Sequence, residues 1–294
     1  MKINHLLKQG LLDTYLYNLN LTLDKKTLDK FSGIKYVLMQ GSQLRAKNLS
    51  MKLSQKILNI NGTFFEPINL IETSKFYAYR TGNILSVSHG MGNTSIITLL
   101  HNLTQVLYFA GNSDLEYIRI GTSGGIGVEP GSVVLTDTAY MPNLIAGYKV
   151  SALGKDIIYP TVMDKVLNQK ILQAQHQSTS FKLLVGNSIA ADDFYLGQAR
   201  FDGAIKPRYT IESRNSYFEK IKVLNILNFE MESTGLASFC NRAQIPATMI
   251  ASIIINRLNG DQVTISTETL NKYSDHSQEV AINYVLCNQH NLNK

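Results

Sequence analysis

Apolar strand patterns alternate with amphipathic helix patterns along the whole chain. That alternation predicts an α/β fold: a single-domain three-layer α/β/α sandwich around a mixed, largely buried central sheet. Two further observations narrow the reading. No internal repeat, low-complexity segment or proline-rich linker interrupts the sequence, so residues 1–294 read as one domain, a length that α/β domains reach as single units. Hydrophobic residues make up 44% and charged residues 17%, which supplies ample material for a large core.

Residues 1–30 mix polarity, with Leu and Tyr recurring through Leu11 to Leu23, and read as a partly helical N-terminal arm. Lys35 to Met39 is a short strand. Gln40-Gly41-Ser42 then turns into a helix that opens at Gln43-Leu44-Arg45 and ends near Leu58. Such a turn aims unpaired helix N–H groups at an anion, and Arg45 reaches the same point; Ser42 as a plain N-cap and Arg45 as a solvated helix residue explain the same letters. Phe76 to Arg80 and Ile84 to Ser88 flank Thr81-Gly82-Asn83, a hairpin signal. His89-Gly90-Met91-Gly92 follows, and a lone histidine at a strand end is more often structural than catalytic. From Asn93 the apolar spacing of Ile96, Leu99, Leu100, Leu103 and Leu107 is helical.

Leu115 to Ile118 is a strand that runs into Arg119-Ile120-Gly121-Thr122-Ser123-Gly124-Gly125-Ile126-Gly127, read as an arginine at a strand end followed by a glycine turn. Glycines let backbone N–H groups come close to a ligand, and a planar guanidinium suits an oxyanion; a tight turn after a buried strand is the plainer explanation. Ser132 to Thr136 is a strand, Thr161 to His176 a helix, and Phe181 to Val185 a strand reaching Ser188. Behind it comes a polar, aromatic-bearing loop, Asp192 to Arg200, where open α/β sheets keep ligand groups. Val223 to Leu227 is a strand that leads through Asn228 to Ser233 into a helix ending near Arg242. Glu230 and Glu232 there are either site carboxylates or ordinary first-turn acids. Ala247 to Ile255 is a buried strand closing on Asn256-Arg257, and Thr267 to Leu286 is an amphipathic helix.

The net charge of +6 comes from scattered basic residues with no run longer than two, which argues against nucleic acid as a partner. Cys240 and Cys287 make neither a disulfide framework nor a zinc spacing, so the expectation is a reducing compartment and no metal. The N-terminal stretch lacks a continuous apolar segment, and none elsewhere reaches the roughly 18 apolar residues that span a bilayer. A cytoplasmic protein with no membrane partner is expected.

Taken together, the strand ends offer cations (Arg45, Arg119), an amide reader with a cation (Gln198, Arg200), an acid (Glu232) and an aromatic (Phe194). Cations and glycine N–H groups suit phosphate, a carboxylate suits paired ribose hydroxyls, and glutamine with arginine suits a base edge bearing carbonyl oxygens and an N–H. At Met39 to Arg45, Ser86 to Gly92, Arg119 to Pro130, Asp193 to Gly203, Phe229 to Ser233 and Asn256-Arg257, the sequence resembles the nucleoside phosphorylase-I family. Within it, the Gly-Gln-x-Arg run at Gly197 to Arg200 resembles the animal-type uridine phosphorylase branch.

The resemblance implies reversible phosphorolysis of uridine to uracil and ribose-1-phosphate, with phosphate as co-substrate and no cofactor. It implies Arg119, Glu232, Gln198 and Arg200 as catalytic, and a phosphate site of Gly41, Arg45, Arg119 and Thr122, completed by Lys75 of a neighbouring subunit. The ribose site would use Ser123, Met231, Glu232 and a neighbour's Asn18. The uracil site would use Gly124, Phe194, Gln198, Arg200, Ile254, Ile255 and Arg257. A homodimer with active sites at the interface follows, with the N-terminal arm packing there. Two positions depart from the family: Asn18 stands where a histidine reaches the ribose 5′-hydroxyl, and Lys75 where the animal enzymes carry an arginine, whose fork lysine lacks. Alternatives stay open at this point: a phosphorylase for another nucleoside, such as thymidine, deoxyuridine or a purine, or a non-catalytic nucleoside-binding paralogue. Against a purine enzyme stands Asn256, where an aspartate would be expected.

Overall fold

The computed structural model describes residues 14–58, 66–71, 73, 75–175 and 180–292. In chain order the elements are β1 (Tyr15–Leu16), β2 (Leu21–Thr22), α1 (Lys25–Phe31), β3 (Tyr36–Gln40), α2 (Gln43–Leu58), β4 (Tyr77–Thr81), β5 (Ile84–Ser88) and α3 (Asn93–Phe109). They continue with β6 (Glu116–Gly125), β7 (Val133–Tyr140), β8 (Gly147–Ala152), β9 (Lys155–Pro160), α4 (Lys165–Gln173), β10 (Leu183–Ala190) and α5 (Ile211–Val223). Last come β11 (Ile226–Glu230), α6 (Ser233–Ala243), β12 (Ala247–Asn256) and α7 (Thr267–Leu292).

Side chains on a strand alternate between faces, and here each face feeds a different core. Val37 and Met39 of β3 pack with Leu99, Leu100 and Leu103 of α3 and Leu236 and Phe239 of α6. Tyr36 and Leu38 pack on the opposite side with Leu49 and Leu53 of α2, Leu167 and Ile171 of α4, and Val280 and Tyr284 of α7. Two helix layers therefore sandwich one sheet, which is the predicted architecture. The sheet is mixed and eight-stranded, in the order β11-β10-β7-β12-β6-β3-β5-β4.

The sheet also curls, a feature with no mark in the local sequence pattern. β11 at its edge pairs a second time, antiparallel, with β6 through Asn228↔Gly125 and Phe229↔Gly124. Strands β6, β12, β7, β10 and β11 thus close a ring, which removes a free edge and brings the C-terminal end of β11 against the middle of the sheet. That closure sets Glu230 and Glu232 beside Arg119.

Several expectations need correction. Arg119 and the four residues Gly121 to Gly124 lie inside β6, not in a turn behind it; the turn comes at Gly127, with φ +69°. The expected strand from Val223 begins at Ile226, and α5 precedes it, started by reciprocal hydrogen bonds between Thr210 and Ser213. The N-terminal arm holds a two-stranded hairpin before α1, while residues 1–13 lie outside the described residues. Helix α4 starts at Lys165 rather than Thr161 because Asp164 accepts the Leu167 N–H (2.7 Å); its expected end, His176, is outside the described residues. β10 runs on to Ala190 and α7 to Leu292, and the β8–β9 hairpin fills a stretch where the sequence pattern predicts no element. Among the described residues no helix is long and apolar enough to cross a membrane, and Cys240 and Cys287 are both free.

Candidate active site

A cavity of about 440 Å³ opens at the C-terminal ends of β3, β6, β11 and β12. The glycines of β6 shape its floor. A Cβ on Gly121 would stand 2.5 Å from Arg119 Nη1, and one on Gly124 would stand 2.9 Å from Arg257 Cγ. Their missing side chains leave room for two arginines to lie flat across one strand. In β12 the register slips between Ile253 and Ile255, and this bulge lets the successive residues Ile254 and Ile255 both line the cavity.

At one end sit the cations. Gly41 and Ser42 form the turn from β3 into α2, and Ser42 Oγ accepts the Arg45 N–H (3.3 Å), so the plain N-cap reading of Ser42 holds. Arg45 is not a solvated helix residue. It is half-buried in the cavity wall, and among the described residues its guanidinium has no hydrogen-bond partner. Burial, then repulsion from Arg119, pulls its affinity for its proton down. Thr122 lies with the two arginines on the lining.

Arg119 is buried and meets two carboxylates. Its Nη2 donates to Glu232 Oε2, and its Nη1 lies 3.3 Å from Glu230 Oε2. Its Nε has no partner among the described residues. Glu230 accepts the backbone N–H groups of Glu232 (2.8 Å) and Ser233 (3.1 Å) and so caps α6 from the end of β11; neither glutamate lies in the first turn of the helix, which corrects the first-turn reading. Burial, with the neighbouring Glu232 adding to it, raises the Glu230 carboxyl above its ordinary range despite Arg119. Glu232 behaves differently. Its side chain makes no cap bond on α6 and instead accepts the Gly92 N–H (2.6 Å) and Arg119. Burial pushes this carboxyl upward, but Arg119 and the Gly92 N–H outweigh burial, so it stays ionised and lies below the ordinary range.

At the other end lie Phe194, Gln198, Arg200 and Arg257. Arg200 gives Nε to Asp202 Oδ1 (2.8 Å) and Nη2 to Asp202 Oδ2 (2.6 Å) and to the Asp261 carbonyl (2.7 Å), while its Cζ lies 4.4 Å over the Phe194 ring. Arg257 gives Nη2 to the Gln198 carbonyl (2.8 Å), and its Nη1 lies 3.5 Å from Gln198 Oε1. Ser123, Met231 and Glu232 also line the wall, with the Ser123 hydroxyl accepting from Asn228 Nδ2 (2.8 Å).

A family model described as the phosphorylase superfamily matches residues 35–286. The chain belongs to that superfamily. It is 35% identical to uridine phosphorylase 1 of Mus musculus over 272 residues, 92% of this chain and 87% of that one. A uridine phosphorylase of the oomycete Phytophthora capsici superposes with a TM-score of 0.89 at 31% identity, covering 99% of this chain and 98% of its own. An inactive uridine phosphorylase B of Schistosoma mansoni is 31% identical over 247 residues, 82% of this chain and 80% of that one.

The superfamily fold brings together all but two of the residues singled out in the sequence: Gly41, Arg45, Arg119, Thr122, Ser123, Gly124, Phe194, Gln198, Arg200, Met231, Glu232, Ile254, Ile255 and Arg257 line one cavity. Asn18 and Lys75 do not line it. Both neighbour exposed Tyr17: Asn18 follows it in the chain, and Lys75 Nζ stands 5.6 Å over its ring. Sequence reasoning passes over Asp202 and Asp261, the acids that hold the arginines, because single aspartates in loops carry no spacing signal. It also sets His89 aside. His89 is fully buried with both ring nitrogens unpartnered among the described residues, and burial pushes it down to about 4, so it is neutral at pH 7.

Proposed function

We propose that the chain catalyses the reversible phosphorolysis of uridine to uracil and ribose-1-phosphate. One observation carries this reading: a single cavity holds two arginines at one end, Gln198 with two further arginines at the other, and an ionised Glu232 on its wall. The arrangement suits a molecule that is anionic at one end and an amide-edged ring at the other. The relatives named uridine phosphorylase support it.

In this mechanism phosphate rests against Arg45, Arg119, Thr122 and the Gly41 backbone and attacks C1′ as the glycosidic bond breaks. The ribose becomes oxocarbenium-like, held by Glu232 through its hydroxyls, with Met231 and Ser123 alongside. Negative charge grows on the departing uracil, where Gln198 and Arg200 donate, so these groups bind the transition state more strongly than the ground state. Phe194, Ile254, Ile255 and Gly124 flank the base. Positive charge comes from arginines throughout, and the reaction so drawn uses no cofactor or metal. A second copy of the chain supplies Asn18 and Lys75. Their place outside the lining of their own cavity and the exposure of Tyr15, Tyr17 and Ile68 support a homodimer with sites at its interface; a cytoplasmic location belongs to the same proposal.

A non-catalytic nucleoside-binding role is the second reading, favoured by the similarity to an inactive relative and by the departures at Asn18 and Lys75. A purine substrate fits less well, because the Asn256 carboxamide oxygen already accepts the Gly127 and Leu258 N–H groups (3.1 and 3.2 Å). Base release from uridine, thymidine, deoxyuridine and inosine, with and without phosphate, tests the proposal. Phosphate-dependent release of uracil from uridine is expected. No release points to the binding role, and preferential cleavage of inosine points to a purine enzyme.

A further inference from the structure

At the base end of the cavity three arginines converge on one aspartate that is not itself part of the lining. Asp261 follows the single turn Arg257–Asn259 and Gly260, whose φ of +130° is open to glycine and folds the chain back on itself. Its Oδ1 accepts from Arg257 Nε (2.9 Å) and lies 2.8 Å from Arg257 Nη2. Its Oδ2 accepts the Phe201 N–H (3.1 Å) and lies 3.5 Å from Arg214 Nη1, and its backbone carbonyl accepts Arg200 Nη2 (2.7 Å). The carboxylate is only 8% exposed.

Those contacts run on to the cavity. Arg257, gripped by Asp261, gives Nη2 to the Gln198 carbonyl and sets Nη1 against its side-chain oxygen. Arg200, gripped by Asp202 and by the Asp261 carbonyl through Nε and Nη2, keeps Nη1 without a protein partner among the described residues. An arginine side chain has many rotamers, and a mislaid guanidinium reads nothing; a buried ionised acceptor on its far side removes that freedom. We propose that Asp261 is the positioning residue that holds Arg200, Arg257 and Gln198 in the arrangement that receives the leaving base. This rests on the uridine reading and deepens it. It assigns the segment after β12 a part in base recognition, joined to the Gln198–Asp202 loop through Arg257, Asp261 and Gln262, whose Nε2 donates to Asp202 Oδ2 (2.5 Å).

The charge matters as well as the shape. Asp261→Asn keeps the outline but puts an NH2 group where arginine N–H groups now find an oxygen, so one guanidinium contact turns repulsive. Asp261→Glu keeps the charge on a longer stem. The test is steady-state phosphorolysis by wild type, D261N and D261E, varying uridine, 5-fluorouridine and phosphate, beside thermal melts of each protein. D261N is expected to lose at least about tenfold in kcat/KM for uridine, with the KM for phosphate within about twofold of wild type. Because 5-fluorouracil leaves with less help, the loss on 5-fluorouridine is expected to be several-fold smaller, and D261E to recover part of it. Equal losses on both nucleosides, a phosphate KM that rises in step, or a D261N within twofold of wild type would each overturn the positioning role. If D261N does not melt cooperatively, the same comparison is read on D261E, where equal losses on the two nucleosides overturn the role. A wild type that releases no uracil overturns the uridine reading and this inference with it; an active wild type with an indifferent D261N overturns this inference alone.

Discussion

The two ends of the cavity both use arginine, but they treat its charge in opposite ways. At the base end, Arg200 and Arg257 are matched by permanent carboxylates, Asp202 and Asp261, outside the lining. Their charge is neutralised before any ligand arrives, and they act as aimed donors. At the other end Arg45 has no ion-pair partner among the described residues, while Arg119 is shared by Glu230 and Glu232, both on the lining. On the proposed reading it is the unpaired charge of Arg45 that is left for the ligand. On the proposed reading, the end that takes an anion and the end that reads hydrogen bonds are told apart by where the acids sit, not by how many arginines there are.

The largest test of this contrast removes Arg119. Arg119→Ala should cost on the order of 3 kcal/mol in transition-state stabilisation, seen as a loss in kcat/KM for phosphate. It should also leave Glu230 and Glu232 buried without their cation, a change that costs about 3–5 kcal/mol of folding stability. In the variant both carboxyls should rise above the unfolded range, so its stability deficit should shrink as pH falls and the folded state takes up their protons. Urea unfolding at pH 7 and pH 5 checks this. A variant within twofold of wild type would place phosphate elsewhere.

His89 sharpens the contrast from beneath, because Arg119 and Arg45 help to keep it neutral after burial has done most of the work. A histidine that titrates at about 4 when folded and at 6.5 when unfolded is protonated first in the unfolded chain. Stability should therefore fall by roughly 3 kcal/mol as pH drops from 6.5 to about 4, with no further contribution from this group to the slope above that window. His89→Leu should flatten that slope in urea unfolding measured across the same range. A slope unchanged in the variant would show that other groups set it.

Base reading is tested next by Gln198→Leu, which keeps the bulk and removes the hydrogen-bonding edge. A buried polar group left unpaired costs roughly 1–3 kcal/mol, so uridine cleavage should fall at least about tenfold with little change in phosphate affinity. Intact uridine turnover with abolished inosine cleavage would reverse the assignment of the base.

The smallest effect is expected at Lys75, an exposed charge that the proposed dimer would bring to the site from a second copy. Lys75→Ala should raise the phosphate KM by severalfold, about 1 kcal/mol, and Lys75→Arg should lower it by restoring a planar fork. Sedimentation of a fully active monomer near 32.8 kDa would remove the partner from the site altogether.

How far the sequence reveals this follows the same division. The anion end is legible because its residues sit in contiguous runs, Met39 to Arg45 and Arg119 to Gly125, each a strand with its ligand groups attached. The glycines mislead: a turn and a strand kept bare for a neighbouring side chain are written with the same letter, and only the contacts of Gly121 and Gly124 separate them. Gln198 and Arg200 are legible as a pair, but Asp261 lies far along the chain from both and its role exists only in three dimensions. Helix α5 is hidden because only Phe218 and Ile221 are buried along it, and the β8–β9 hairpin because it faces solvent over most of its length. Ring closure by β11 and β6 depends on pairing residues about a hundred positions apart, which no local pattern encodes.

If the cation end delivers phosphate to C1′ while the other end releases uracil, the oxygens of phosphate must end up on the sugar. Running the reaction on uridine with phosphate carrying oxygen-18 at all four positions, and weighing the sugar product by mass spectrometry, tests this most directly. Ribose-1-phosphate that retains all four labelled oxygens, formed in step with uracil, is the result expected. Free unlabelled ribose, or uracil released equally in phosphate-free buffer, would contradict it.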